Sequence, residues 1–188
     1  MSSVAFEEMP ASRLPDPVLT RLYRYWDALR EARAGPTRPE VDPIDMPREV
    51  LPDLMLTEVV LADGTRRYRY RIVGSRIAEQ AGADPTRQFL DEALPREFGY
   101  LDYILGLYDA LVDIVRPLYS RSSYVTADTS SSPERETHRL MLPIVAAEGA
   151  VTHVLAAQVF HVQRGVTQKP FLSPDGVSYG ETVLVTPD

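Results

Sequence analysis

The sequence predicts an α+β protein. A five-stranded antiparallel sheet would carry helices inserted after its second strand, and an amphipathic helix would precede it. Three observations predict this. Leu54–Leu61 and Arg66–Val73 are strand-like runs flanking Asp63-Gly64, a strong hairpin turn. Residues Glu97 to Val115 place Leu101, Ile104, Leu105, Tyr108, Leu111, Val112 and Val115 on one stripe, the clearest helical period in the chain. Three further strand-like runs follow at meander spacing: Leu118–Ala127, Glu136–Ile144 and Val151–Val162.

Bulk properties narrow the function classes. A chain of 188 residues fits one domain with appendages. The division expected is 1–50 for the N-terminal helix and a proline-rich connector, 51–163 for the sheet domain and 164–188 for a C-terminal tail. A net charge of −7 argues against nucleic acid as a partner. The absence of cysteine removes disulfides, thiolate nucleophiles and zinc–thiolate sites. No apolar run approaches the roughly 20 residues that span a bilayer. MSSVAFEEMP lacks the basic and apolar regions of a signal peptide. The compartment expected is the cytoplasm, with no membrane partner. Lys169 is the only lysine, which reads as genome composition.

Taken in order, Met1–Leu14 reads as weakly held. Asp16 and Pro17 form an N-cap and N1 pair. Val18, Leu22, Trp26 and Leu29 then recur at helical spacing through about Ala34, where Gly35-Pro36 ends the helix. Trp26 should anchor this helix in a core. Five prolines between Pro36 and Pro52 forbid a long helix and favour an extended connector pegged by Val41, Ile44, Met46 and Leu51. In Arg66–Val73, alternation puts Tyr68, Tyr70 and Ile72 on one face and Arg67, Arg69 and Arg71 on the other. Gly74 allows the chain to turn, Ser75 can cap a short helix and Gly82 can end it. Asp84-Pro85-Thr86 can start another short helix carrying Phe89, Leu90, Ala93 and Leu94. Asp128–Pro133 is a polar loop, and Glu181–Val185 a short strand in the tail.

Five fragments stand out: Tyr25, Trp26, Leu29 and Arg30; Arg38, Val41, Asp42 and Pro43; Leu51–Leu54; Tyr70–Ser75 (YRIVGS); and Arg139–Ile144 (RLMLPI). Together they resemble a bacterial family of small, largely uncharacterised single-PAS proteins. The resemblance spans roughly Leu22 to Val162. It implies a PAS-like fold and a sensory or regulatory role, and brings no established ligand with it. The family often shows a Thr-Gly pair where this chain reads Thr86-Arg87.

Catalytic and cofactor patterns are mostly missing. There is no GxSxG, GxxxxGK[ST] or GxGxxG. His153 and His161 sit eight residues apart on one strand face, on the order of 26 Å at strand rise, too far to share an ion. His138 and Glu136 form a same-face pair better read as an ion pair than as a metal site. The stripe of Glu97–Val115 offers no histidine for a haem, and Tyr108 is better read as core than as an axial ligand. Asp109 and Asp113 read as solvated carboxylates on the outer helix face, offsetting Arg96 or Arg116. The hydroxyl run Thr129–Ser132 reads as loop.

These observations lead to one expectation and one alternative. The protein is expected to be a cytoplasmic PAS-type sensory or regulatory module without enzyme activity and with no assigned cofactor. A small molecule would sit between the sheet and the long helix, against Tyr70, Ile72, Phe89, Leu105, Tyr108 and Leu142. The row Arg67, Arg69 and Arg71 could meet an anionic ligand or partner, or be neutralised by carboxylates such as Glu58, Asp27 or Glu31. The output would pass to an unidentified regulatory protein or to a homodimer formed through the N-terminal helix. The alternative is a ligand-free interaction scaffold.

Overall fold

The computed structural model describes residues 6–62, 64–96, 99–124, 135–162 and 178–188. Strands β1 (Glu7–Pro10), β2 (Leu54–Ala62), β3 (Thr65–Val73), β4 (Leu118–Tyr124), β5 (Arg135–Val145), β6 (Val151–Val162) and β7 (Ser178–Thr186) form one sheet. Helices α1 (Pro17–Arg30), α2 (Ser75–Ala81), α3 (Leu90–Ala93) and α4 (Tyr100–Ile114) flank it.

The strand order is β1-β7-β4-β5-β6-β2-β3. The five strands β2 to β6 are the antiparallel set expected from the sequence, with α2, α3 and α4 inserted after the second of them. The sheet nevertheless has seven strands, not five. β7 pairs antiparallel with β4, and β1 pairs parallel with β7. Glu7–Pro10 is therefore not weakly held, and Ala11 and Leu14 behind it are buried. Four residues ending in proline carry too little pattern to announce a strand; pairing with β7 supplies the order.

Both faces of the sheet are covered. The face bearing Leu54, Leu56, Leu140, Leu142 and Leu155 packs on Leu19, Leu22, Tyr23 and Trp26 of α1 and on Val41, Met46 and Val50 of the connector. Asp16 caps α1 by accepting from the Val18 amide at 2.7 Å. The connector makes only brief 3₁₀ turns, Arg38–Glu40 and Leu51–Asp53, as its prolines require. Tyr25 ties it to α1 through hydrogen bonds with the backbone of Asp42. The opposite face, with Met55, Tyr68, Tyr70, Met141 and Ala156, packs on Ile77 of α2, Leu90 of α3, and Ile104, Tyr108 and Leu111 of α4.

Three local expectations change. β2 and β3 slip register beside Leu56: Leu56 faces Ile72 while Thr57 faces Tyr70. Arg71 is the extra residue of a bulge, so Ile72 turns to the α1 face, away from Tyr68 and Tyr70. Ser75 is the first residue of α2 and Gly74 its N-cap. A Cβ at Gly74 would run into the carbonyl oxygens of Leu51 and Pro52, so only glycine fits there. Asp84 caps the Thr86 turn, and helix resumes only at Leu90. Asp63, Glu97, the polar loop, the run Thr129–Ser132 and most of the tail lie outside the described residues.

Candidate functional site

Tyr70, Leu105 and Tyr108 meet on the helix face, as the sequence places them. Ile72 and Leu142 do not join them: the bulge turns Ile72 away, and Leu142 lies on the α1 face. Phe89 lies at the free edge of β3, where its backbone bridges Arg69 and its ring sits 3.7 Å below the Arg67 guanidinium. The six candidates therefore do not line one space.

The arginine row is neutralised within the chain. Arg67 pairs with Asp91 at 2.9 Å and Glu92 at 2.8 Å, Arg69 with Glu58 at 2.7 Å and Arg71 with Glu58 at 3.8 Å. The Arg69 pair holds the Glu58 carboxyl below its ordinary value. Of the three carboxylates expected to balance this row only Glu58 does so, since Asp27 pairs with Arg30. Asp109 and Asp113 are not idle on the outside of α4. Asp109 accepts a hydrogen bond from Tyr68, and Asp113 pairs with Arg66 at 2.7 Å. Arg116 pairs instead with Glu8.

His138 and His161 form a second polar group, on the α1 face. Glu136 and His138 make the expected contact, 3.2 Å, which is an ion pair only when the imidazole is protonated, and burial lowers its pKa. His138 Nδ1 also contacts the Tyr119 hydroxyl at 2.6 Å. The ring of His161 meets that of His138 edge-on, with centroids 4.7 Å apart. Among the described residues no group of three or more acidic or histidine side chains is arranged to hold a metal.

The most unusual chemistry lies between the sheet and α4, at residues that sequence reasoning did not select. Ser120 on β4, Arg139 on β5 and Gln158 on β6 stand directly opposite one another across three adjacent strands. All three are buried, Arg139 to 3% exposure. They share the helix face with Leu118, Met141 and Ala156, each two residues away on its own strand. Arg139 Nη2 donates to Gln158 Oε1 and, at 3.4 Å, to the Tyr100 hydroxyl. Tyr70, Tyr100, Tyr103 and Tyr108 are all near enough to interact electrostatically with the guanidinium. Burial pushes the Tyr70 and Tyr108 hydroxyls up, which keeps both neutral near pH 7. Tyr108 shares a 3.1 Å hydrogen bond with Thr57.

Among the described residues four buried side-chain polar atoms have no hydrogen-bond partner: Tyr103 OH, Ser120 Oγ, Arg139 Nη1 and Asp53 Oδ1. The first three belong to this one region. The sequence signal for it was RLMLPIV. A run apolar on both faces is a strand covered on both sides, so an arginine at its start has no water to point to.

An open surface groove of about 410 Å³ lies elsewhere, along Leu14–Arg24. It has no comparable set of convergent buried groups.

The architecture defines a class: an antiparallel sheet with a helical insertion over one face and a polar interior under the long helix. A family model described as "PAS domain" matches residues 15–95, from α1 through α3. Over that span the chain is similar to PAS domains, in line with the resemblance read from its sequence. No curated protein matches the chain.

Proposed function

We propose that this protein is a PAS-type sensory or regulatory module, not an enzyme. Its signal is a small molecule held between the helix face of the sheet and α4. The observation that carries this reading is the convergence of Tyr103 OH, Ser120 Oγ and Arg139 Nη1, buried and unpartnered, in one interior region. Buried polar groups are nearly always satisfied in folded proteins, and exceptions gather at sites of function. A ligand under α4 would act by favouring one position of that helix over another, and only through different affinities for the two. The readout would then pass to a regulatory partner protein or to a second copy of the chain, in the cytoplasm.

Native mass spectrometry of the purified protein tests this. A retained small molecule, displaced when Tyr108 is enlarged to Trp, is the supporting result. Protein that carries nothing, and whose melting temperature no member of a broad metabolite panel raises, removes the reading.

A further inference from the structure

The charge balance around Arg139 goes further and rests on the reading just given. An arginine cannot shed its proton to relieve burial, because its guanidinium stays charged at any physiological pH. A buried cation therefore needs an anion beside it. Yet among the described residues no carboxylate forms an ion pair with Arg139. Its strongest partner, Gln158, is a neutral amide. Its tyrosine neighbours Tyr70 and Tyr108 are held neutral by burial and cannot stand in as counter-charge. Arg66, on the same face of β3 as Tyr68, does by contrast reach a carboxylate, Asp113 at 2.7 Å.

The free donor also has the right company. Nη1 of Arg139 is unpartnered, as are the hydroxyls of Ser120, its neighbour on β4, and of Tyr103 on α4. A guanidinium N–H and two hydroxyls in one buried region suit the two oxygens of a carboxylate, which accepts several hydrogen bonds and donates none. The apolar side chains of α4 and the Tyr70 and Tyr108 rings leave an apolar surround for the rest of such a ligand.

We infer that Arg139 is the anchor of a small-carboxylate site, with Ser120 and Tyr103 as its hydroxyl donors, and that the ligand supplies the counter-charge absent among the described residues.

The test compares acids with their neutral isosteres on the full chain. Thermal shift and isothermal titration are run with a series of one- to six-carbon monocarboxylates, from formate to hexanoate. The matched primary amides and sodium chloride at equal ionic strength serve as controls. The expected result is a melting-temperature rise with at least one acid, absent with its amide and with chloride. Arg139→Met should lose that response by at least tenfold in affinity, and Arg139→Lys should keep part of it. An amide that stabilises as well as its acid, or an acid response unchanged in Arg139→Met, overturns the inference. So does a series in which no acid acts. The comparison of acid with amide is made on the unmodified protein, so it stands even if Arg139→Met does not fold. If a neutral metabolite binds under α4 while no carboxylate does, the ligand-site reading survives and the anion assignment falls. If nothing binds at all, both fall.

Discussion

The indole nitrogen of Trp26 donates to the carbonyl oxygen of Pro143 at 2.7 Å, in the buried seam between α1 and β5. β4 pairs with β5 no further along than Met141, which leaves this carbonyl to the indole. Trp26→Phe keeps most of the packing but strands a buried acceptor, at a cost of about 1–3 kcal/mol. Trp26→Ala adds a cavity and should cost about 3–5 kcal/mol. Urea unfolding followed by circular dichroism measures both. Equal costs for the two variants would deny the hydrogen bond its part.

Gly74 admits no side chain, since the carbonyl oxygens of Leu51 and Pro52 occupy the place of its Cβ. Gly74→Ala must separate α2 from the connector. It should leave little folded protein, whereas Gly82→Ala, strained only by a φ of 74° and with open space at its Cβ, should remain folded. Expression and thermal melts of the two variants side by side check the contrast.

Arg87 holds a φ of 77°, a conformation that costs a residue with a Cβ about 1–2 kcal/mol. The turn is kept because the Arg87 amide donates to the Tyr70 carbonyl at 2.8 Å and the Gln88 carbonyl accepts from the Tyr70 amide at 3.0 Å. Arg87→Gly should therefore raise stability by about 0.5–1 kcal/mol, after the greater freedom of glycine in the unfolded chain is subtracted. A melting temperature that falls would mean the Arg87 side chain contributes more than its backbone strain removes.

Acid should weaken the fold before its carboxylates titrate. Burial lowers the pKa of His138 and of His153 from the ordinary 6.5. Around His138, Glu136 and Asp16 oppose this shift, while His161 and Arg121 add to it. As pH falls through 6.5 the unfolded chain takes up protons that the folded chain refuses, so stability drops until the depressed folded pKa is passed. Melting temperatures at pH 7.5 and 5.5 should differ, and His138→Gln should shrink the difference. An undiminished difference in that variant would assign the effect to other groups.

Much of the fold was legible because its signals are local. The hairpin turn, the stripe of α4 and the strand-like composition of β4, β5 and β6 each fit within a short window. What was not legible depended on distant chain. β1 has no pattern of its own and exists through pairing with β7, far along the sequence. The bulge at Arg71 follows from the register between β2 and β3, which alternation along one strand cannot report. It moved Ile72 to the wrong face for the expected pocket. Tyr70, Leu105 and Tyr108 were legible as helix-face residues by period alone. Arg139 was passed over because an arginine at the head of an apolar run reads as exposed until the strands on both sides of it are known.

The parallel pairing of Glu7–Pro10 with Val183–Thr186 has a consequence for how the molecule is made. Among the described residues β1 has no other strand neighbour, so during synthesis it leaves the ribosome some 170 residues before its partner. The antiparallel set β2 to β6 can assemble on the nascent chain while residues 7–10 wait unpaired. Only when β7 docks on β4 does the edge that receives them exist. Sealing of that edge then waits for β7, and a nascent chain arrested before residue 178 would expose the first strand to proteases that the finished protein excludes.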